Sequence, residues 1–259
     1  MPTVRDIERA LYDWAPRALA ADWDNVGLLV GDGAREVKRI LVALDVTDWV
    51  ADEAAARGAE LIVAHHPVLN SHWHEMQSVV EDGGQGSLLR KLVRCDVAAV
   101  CMHTNLDAAD GGVNDVLAQR LGLEGVFPLT EERIGRVGTL KREKSLEEFL
   151  SDVVQSLGCK GLRYRDGGRP VRKVAVGGGA CAEYLPCALA LGCDTFVTAD
   201  VKYHDFLDAR GVNLIDAGHF ETEDPVCDAL RAYLADKFPS LELVRSTSHT
   251  ESVIQYYMK

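Results

Sequence analysis

The chain has 259 residues, of which 47% are hydrophobic and 26% charged, the usual balance of a globular protein. Its net charge of −12 argues against broad nucleic-acid binding, which needs a basic surface. No apolar run approaches the ~20 residues of a membrane-spanning helix, and the first residues lack a signal-peptide pattern, so we expect a cytoplasmic protein with no membrane partner.

The first half of the chain is predicted to alternate helices with strands. Thr3 and Asp6 have the spacing of a capping box, which starts a helix, and Gly58 fits a helix C-cap. Residues 71–86 have no clear period and are predicted to form a long loop that exposes His72 and His74. The other predicted elements are helices over 4–14, 48–57, 87–93 and 113–121, and strands over 28–30, 39–45, 61–64 and 97–102.

The second half repeats this alternation. Ser145 and Glu148 form a second capping box, and Gly167-Gly168 is predicted to be the turn of a hairpin over 161–176. Gly177-Gly178-Gly179 lies between a strand and a helix, where backbone N–H groups can hold an anion. The remaining predictions are a helix over 146–157, strands over 195–199 and 212–217, and a helix from Pro225 to Lys237 with Asp224 as its cap.

Strands that alternate with helices predict an α/β fold with a substantial parallel sheet. In such sheets, ligands bind at the carboxyl ends of the strands. Polar side chains of the types that bind metals follow several of the predicted strands: Asp45, His65, His66, His103, Asp107, Asp200, His219 and Glu223. We therefore expect the functional site at this edge.

Two parts of the chain resemble each other. A shift of 134 residues places 39–42 on 173–176 and His66 on Asp200, and a shift of 116 places His103-x-x-x-Asp107 on His219-x-x-x-Glu223. The alternative is chance similarity between generic β-α-β units. A duplication predicts two similar α/β domains, residues 1–130 with His65, His66 and Asp107 and residues 131–259 with His219 and Glu223, whose terminal segments can exchange between domains.

His65 and His66 are adjacent at the end of a predicted strand. Neighbouring side chains of a strand point to opposite faces, but where the backbone turns two rings can reach two neighbouring points. This pattern suggests two metal ions, and the alternative is a pair of histidines with local hydrogen bonds. Imidazoles and carboxylates without cysteine suit Zn, Fe, Mn, Co or Ni.

The middle of the chain is locally basic. Residues 131–173 carry 11 Lys/Arg and 7 Asp/Glu, a net charge of +4. Such a segment can receive a small anionic substrate, for example a nucleotide. The alternative is a solvated face with ordinary ion pairs.

Five segments of the chain together resemble the NIF3 family, also called GTP cyclohydrolase 1 type 2. They are WDNVGLLVG, IVAHHPVL, HTNLDAADGGVND, TADVKYHDFLDARG and NLIDAGHFETE. The resemblance implies a dinuclear metal centre between two α/β domains that face each other, and a ring-shaped homohexamer. By motif position it implies the metal ligands His65, His66, Asp107, His219 and Glu223. His103 lies beside the site as a candidate catalytic group, and the alternative is a histidine packed at a strand end.

Two functions are compatible with these features. The first is a hydrolase that depends on two divalent metal ions, in its sharpest form a GTP cyclohydrolase that opens the purine ring and releases formate. The second is a non-enzymatic metal-binding or interaction scaffold with a ring-shaped assembly. An open coordination position favours the first function and a closed one the second.

Overall fold

The computed structural model describes residues 1–69, 78–81 and 83–257. In chain order its elements are α1 (Val4–Trp14), a 3-10 helix (Arg17–Leu19), β1 (Gly27–Val30), β2 (Arg39–Ala43), α2 (Asp48–Arg57), β3 (Leu61–Ala64), α3 (Gln85–Arg94), β4 (Ala98–Cys101), α4 (Thr104–Ala108), α5 (Val113–Arg120), β5 (Glu124–Pro128), β6 (Arg136–Lys144), α6 (Leu146–Leu157), β7 (Arg163–Arg165), β8 (Val171–Val176), a second 3-10 helix (Ala182–Tyr184), α7 (Leu185–Ala190), β9 (Thr195–Thr198), α8 (Tyr203–Asp208), β10 (Asn213–Asp216), α9 (His219–Glu223), α10 (Val226–Lys237) and β11 (Glu242–Arg245).

The chain forms two compact units. The first comprises Met1–Ala109 and Val226–Thr250, and the second comprises Asp110–Pro225 and Glu251–Lys259. The predicted division into 1–130 and 131–259 differs from these units in two segments. Residues 226–250 belong to the first unit because β11 pairs with β2, and residues 110–130 belong to the second because β5 pairs with β6.

The first unit contains a five-stranded sheet in the order β1-β4-β3-β2-β11. Its strands are parallel except for β1, which pairs antiparallel with β4 at one edge. Leu41, Ile62 and Ala99 belong to the buried core that this sheet forms with α2 and α3. Two predicted helix ends are confirmed: Thr3 and Asp6 form the capping box of α1, and Gly58 ends α2 with a left-handed φ of 64°.

The second unit contains a six-stranded sheet in the order β5-β6-β8-β9-β10-β7. Alternate residues of β8 enter two separate cores: Val174 and Val176 pack in the core that includes α5 and α6, while Ala175 packs in the core that includes α7. Ser145 and Glu148 form the predicted capping box of α6. Helices on both faces of a largely parallel centre fit the predicted α/β class.

The predicted hairpin over 161–176 is wrong. β7 pairs antiparallel with β10, and β8 pairs with β6 and β9, so the two segments lie at different positions in the sheet. Gly167 packs against the backbone of Val212, where a Cβ would lie 2.3 Å from its carbonyl carbon. The Gly-Gly signal therefore marks a close backbone approach instead of a two-strand turn.

The pairing of the strands supports the internal duplication. In the first sheet Ile40 lies opposite Leu61, and in the second sheet Val174 lies opposite Thr195. Both members of the second pair are 134 residues after those of the first, and the next two pairs keep the same shift. Each sheet then adds a third parallel strand, β4 or β10, which is followed by a five-residue helix, α4 or α9.

The prediction that a long loop exposes His72 and His74 cannot be compared with the structure, because both histidines lie outside the described residues. Within the part of the chain that the structure describes, no helix combines the length and the apolar character that crossing a bilayer requires.

Candidate metal centre

Three histidines of the first unit form one cluster. His65, His66 and His103 each place a ring nitrogen within 4.8 Å of the others, and the centroids of their rings lie 4.9 to 5.8 Å apart. His65 is fully buried and His103 nearly so. A cluster of three imidazoles of this size is suited to a transition-metal ion.

The ends of two neighbouring parallel strands bring the histidines together. β3 ends at Ala64, and its parallel neighbour β4 ends at Cys101, directly opposite Ala64 in the register. The backbone N–H groups of His65 and His66 both donate to the carbonyl of Leu44, at 3.1 and 2.9 Å. The chain therefore turns directly after β3, so that two adjacent side chains can face the same region, as the sequence pattern predicted.

The Nδ1 atom of each ring is held by an oxygen acceptor. His65 Nδ1 lies 2.8 Å from the carbonyl oxygen of Met102, His66 Nδ1 lies 2.7 Å from Asp45 Oδ1, and His103 Nδ1 lies 2.9 Å from Asp24 Oδ1. A carbonyl or an ionised carboxylate has no proton to give, so each Nδ1 must donate. In a neutral imidazole this puts the lone pair on Nε2, as in histidines that bind metals. The three residues therefore fit a metal ion chemically.

Asp107 adds a carboxylate to this cluster. Its backbone N–H donates to the carbonyl of His103 at 3.0 Å within α4, and its Oδ1 lies 3.8 Å from His65 Nε2. Asp107 also belongs with His65 to a group of residues able to hold a metal ion. The first unit thus brings together all of its predicted ligands.

Two carboxylates of the first unit are strongly stabilised as anions. Burial raises the pKa of Asp24, but hydrogen bonds and charge from His103, together with hydrogen bonds from Thr104, lower it to about 2. Burial likewise raises the pKa of Asp45, but the hydrogen bonds and charges of His249 and His66 hold it well below its ordinary value. Both groups therefore act as acceptors at neutral pH.

The second unit carries a group of candidate ligands built on α9. His219 Nε2 lies 3.0 Å from Glu223 Oε2, an i,i+4 pair, and His219 Nδ1 lies 2.7 Å from Asp200 Oδ2. Burial lowers the pKa of His219, but the charge of Glu223 and the hydrogen bonds and charge of Asp200 outweigh it and raise the pKa to about 11. Without a metal ion the ring is therefore an imidazolium, and a metal would replace its Nε2 proton.

The prediction that Gly177–Gly179 holds an anion is wrong, because the protein itself uses these N–H groups. Gly177 donates to the carbonyl of Val197 at 2.9 Å, Gly178 to Asn114 Oδ1 at 2.9 Å, and Gly179 to Thr222 Oγ1 at 3.0 Å. Gly179 has a φ of 63°, and a Cβ there would lie 2.2 Å from Glu223 Oε1. The glycines instead let the loop approach α9 closely.

The basic segment contains many ion pairs. Arg136 is buried and its guanidinium meets the Asp115 carboxylate at 2.9 and 3.0 Å, a bidentate pair. Five more cations of the segment meet carboxylates: Arg133 with Asp110, Arg142 with Glu148, Lys144 with Asp152, Lys160 with Glu251, and Arg163 with Asp216. This favours the alternative of ordinary ion pairs over an anion-receiving patch.

Three residues that hold the site together were not predicted in these roles. Asp45 was expected at the site edge only as a polar residue at a strand end, and Asp24 had no predicted role although it belongs to the WDN segment. His249 comes from a polar segment after β11 and bonds Asp45 at 2.7 Å. Only the pairing of β11 with β2 brings it there, and periodicity does not reveal such a long-range pairing.

Comparisons with known proteins place the chain in a family. The family model described as Duf34/NIF3 (NGG1p interacting factor 3) matches residues 2–252. A Clostridium perfringens protein named GTP cyclohydrolase 1 type 2 homolog is 37% identical over 232 residues, which cover 86% of this chain and 87% of that protein. A Streptomyces coelicolor protein of the same name is 35% identical over 248 residues, covering 90% of this chain and 86% of that protein.

A solved structure agrees with this match. The Bacillus cereus protein related to NIF3 superposes with a TM-score of 0.92 at 25% sequence identity and covers 99% of both chains. The family model spans nearly the whole chain and includes every residue of the two clusters described above. The chain therefore belongs to the Duf34/NIF3 family.

Proposed function

We propose that the protein is a hydrolase that depends on two divalent metal ions and acts on a purine nucleotide such as GTP. The ligands in this proposal are His65, His66 and Asp107 from the first unit and His219 and Glu223 from the second. The observation that carries it is the common Nδ1 anchoring of the histidines, which prepares each Nε2 for a metal ion. The name shared by the relatives, GTP cyclohydrolase 1 type 2 homolog, supplies the substrate class.

The donor set favours a catalytic centre over a structural one. Structural zinc sites are mostly closed and rich in cysteine, whereas these clusters contain imidazoles and carboxylates. Divalent ions bound by them would supply Lewis acidity and lower the pKa of water toward ~7. That chemistry suits hydrolytic opening of the five-membered ring of the purine, which consumes water and releases one ring carbon as formate.

His103 is the proposed proton-transfer group. Its Nδ1 is held by Asp24 at 2.9 Å, and its ring lies 5.2 Å from that of His65 and 5.8 Å from that of His66. With the proton on Nδ1, Nε2 can take a proton from the attacking water and return it to a ring nitrogen of the substrate. Such transfer contributes typically 10²–10⁴-fold to a rate.

Metal analysis tests the ligand assignment. His219→Ala and Glu223→Ala should each lose most of one metal equivalent, measured by elemental analysis of the purified protein. Asp208→Asn, which changes an exposed carboxylate on α8, is the control and should keep the wild-type metal content. Full occupancy in both ligand variants would exclude the assignment.

Turnover of GTP tests the hydrolase. The metal-loaded wild-type protein should release formate, Asp107→Asn should lose most of this activity, and Asp208→Asn should retain it. If wild type binds two metal ions and yet turns over neither GTP nor simple phosphate esters, the metal-binding scaffold replaces the hydrolase as the best proposal. Equal rates in wild type and Asp107→Asn would show that the activity does not arise at this centre.

A further inference from the structure

The carboxylate of Asp45 lies between two histidines. Its Oδ1 is 2.7 Å from His66 Nδ1 and its Oδ2 is 2.7 Å from His249 Nε2. A carboxylate offers only acceptor atoms, so both ring nitrogens donate to it. Both oxygens are thus engaged, and rotation of the carboxylate would break at least one charge-assisted hydrogen bond.

Three neighbouring strands place these residues. In the first sheet β2 lies between β3 and β11 and is parallel to both. Asp45 follows β2, His66 follows β3 and His249 follows β11, so the order of the side chains repeats the order of the strands. The contact between His249 and Asp45 is therefore a product of the sheet topology.

The segment that carries His249 is firmly held. The Glu53 carboxylate on α2 accepts from Ser246 Oγ at 2.7 Å, from the Thr247 N–H and Oγ1, and from the Ser248 N–H at 3.0 Å. The Ser246 N–H donates to the carbonyl of Val42 at 2.8 Å and extends the pairing with β2. His249 itself is only 5% exposed. Hydrogen bonds to α2 and to β2 therefore hold residues 246–248 in place directly before His249.

We infer that Asp45 is a positioning residue for metal binding by His66, and that His249 fixes Asp45 in the orientation this requires. The inference rests on the proposed function, because it assumes that His66 binds a metal ion. Asp45 keeps the proton of His66 on Nδ1, so that the lone pair stays on Nε2. His249 keeps the carboxylate, whose side chain is 35% exposed, from turning toward solvent.

An asparagine at position 45 would disturb this arrangement in a defined way. It keeps one acceptor oxygen but replaces the other with an NH₂ donor, so it can accept from only one of the two histidines. If the NH₂ group faces His66, the ring must carry its proton on Nε2, which blocks metal binding. If the oxygen faces His66, His249 keeps its contact only by moving its proton to Nδ1 and accepting from the NH₂ group on Nε2. Asp45→Asn should therefore weaken metal binding by His66 more than its small change of shape suggests.

Nitrogen NMR of the metal-free protein tests the tautomer without any metal. In wild type the ring of His66, assigned with His66→Gln, should carry a proton on Nδ1 at a pH where it is neutral. Asp45→Asn should shift a substantial share of the His66 population to the Nε2-protonated form. Unchanged nitrogen shifts for His66 in folded Asp45→Asn would overturn the inference.

Zinc affinity measured by competition with a chromophoric chelator gives the second readout. Loss of groups that orient a ligand typically costs 10–100-fold in metal affinity. We expect a loss in this range for Asp45→Asn and a smaller one for His249→Ala, with recovery in His249→Gln, whose amide can donate to Asp45. Asp208→Asn should bind zinc like wild type.

The outcomes separate this inference from the proposed function. If wild type binds zinc and the variants at positions 45 and 249 bind it equally well, the positioning role is overturned while the metal centre stands. If wild type binds no zinc, both are overturned. Should Asp45→Asn fail to fold, the pair His249→Ala and His249→Gln decides: equal affinities in folded protein would overturn the inference.

Discussion

Asp24 and His103 form a buried pair, and the Asp24 carboxylate also binds the next residue, Thr104. Asp24 Oδ1 accepts from His103 Nδ1 at 2.9 Å, while Oδ2 accepts from the Thr104 N–H at 3.0 Å and from its hydroxyl at 2.6 Å. The side chain of Asp24 is fully inaccessible to solvent. The carboxylate therefore fixes the histidine together with the first turn of α4, the short helix that also carries Asp107.

The first prediction concerns this pair. Asp24→Asn should reduce the proposed turnover by roughly 10²–10⁴-fold, because an asparagine can stabilise the wrong tautomer of His103. His103→Ala should have a comparable effect, and both variants should keep their metal ions if His103 transfers protons. Formate release and metal content, measured on the same samples, check this. Loss of a metal ion in His103→Ala would instead make His103 a ligand.

The second prediction uses two glycines with similar backbone angles. Gly179 and Gly192 have φ of 63° and 72°, so alanine is strained at both, by about 1–2 kcal/mol. A Cβ at Gly192 would meet nothing within 4 Å, whereas one at Gly179 would collide with the Glu223 carboxylate. Gly179→Ala should therefore lose metal, and Gly192→Ala should lose only stability. Elemental analysis and thermal unfolding distinguish the two effects, and equal metal content would contradict the role given to Gly179.

Much of the fold was predictable because local signals and burial agreed. The boundaries of α1 and α6 follow from their capping boxes, which depend on residues three apart. β3 was predictable as a short apolar run and β9 as a run of β-branched and aromatic residues, and both are buried along their whole length. The strand ends predicted the edge at which the site would lie, and the resemblance to the family implied which residues there are the ligands.

The failures involve contacts between residues far apart in the chain. β7 was expected to pair with β8, but it pairs with β10, and Gly-Gly does not distinguish a hairpin turn from a close backbone approach. β5 and β6 were missed because β5 is largely exposed and β6 carries charged residues at its end, so neither gives a strong apolar period. Asp45 contacts His66 across 21 residues of sequence, Asp24 contacts His103 across 79 and His249 contacts Asp45 across 204, and no motif records such contacts.

The third prediction concerns pH and the segment before His249. Burial raises the pKa of Glu53, but hydrogen bonds from Ser246, Thr247 and Ser248 outweigh it and lower the pKa to about 2. Because the folded pKa lies below the ordinary value of 4.5, Glu53 contributes stability that is fully present above pH 4.5 and is lost as the pH falls toward 2.

Glu53→Gln should therefore destabilise the protein at pH 7 by roughly 1–3 kcal/mol, since it weakens several charge-assisted hydrogen bonds. The difference from wild type should shrink as the pH falls from 4.5 toward 2. Urea unfolding at several pH values measures it. Asp52→Asn, which changes an exposed carboxylate on the same helix, is the control. If the stability difference between Glu53→Gln and wild type does not vary with pH, the stabilisation does not come from the charge of Glu53.

The fourth prediction is a homohexamer, expected from the resemblance to the family. Sedimentation velocity of the purified protein should give a mass near six chains, and a monomer at all concentrations would contradict it. β5 lies at an edge of the second sheet and exposes 41% of Phe127. Such edges are candidates for contacts between copies. Phe127→Glu should therefore yield smaller species, while Val154→Glu on α6 should not.

The last prediction concerns protons released by metal binding. The pKa of His219 is raised to about 11, against burial, by the charge of Glu223 and by Asp200. Since the folded pKa lies above the ordinary 6.5, the ring is charged at pH 8, and the stability it contributes is fully present below pH 6.5 and is lost progressively as the pH rises from 6.5 to about 11.

A metal ion that binds His219 Nε2 must displace its proton, so binding at pH 8 should release about one proton from this residue. A histidine with an ordinary pKa would release almost none at that pH. Calorimetry of zinc binding in buffers of different ionisation enthalpy measures the number of protons released on binding. Asp200→Asn keeps all five proposed ligands but removes one charge beside the ring, and should release fewer protons at pH 8. Equal release in wild type and Asp200→Asn would show that Asp200 does not hold the charge of His219.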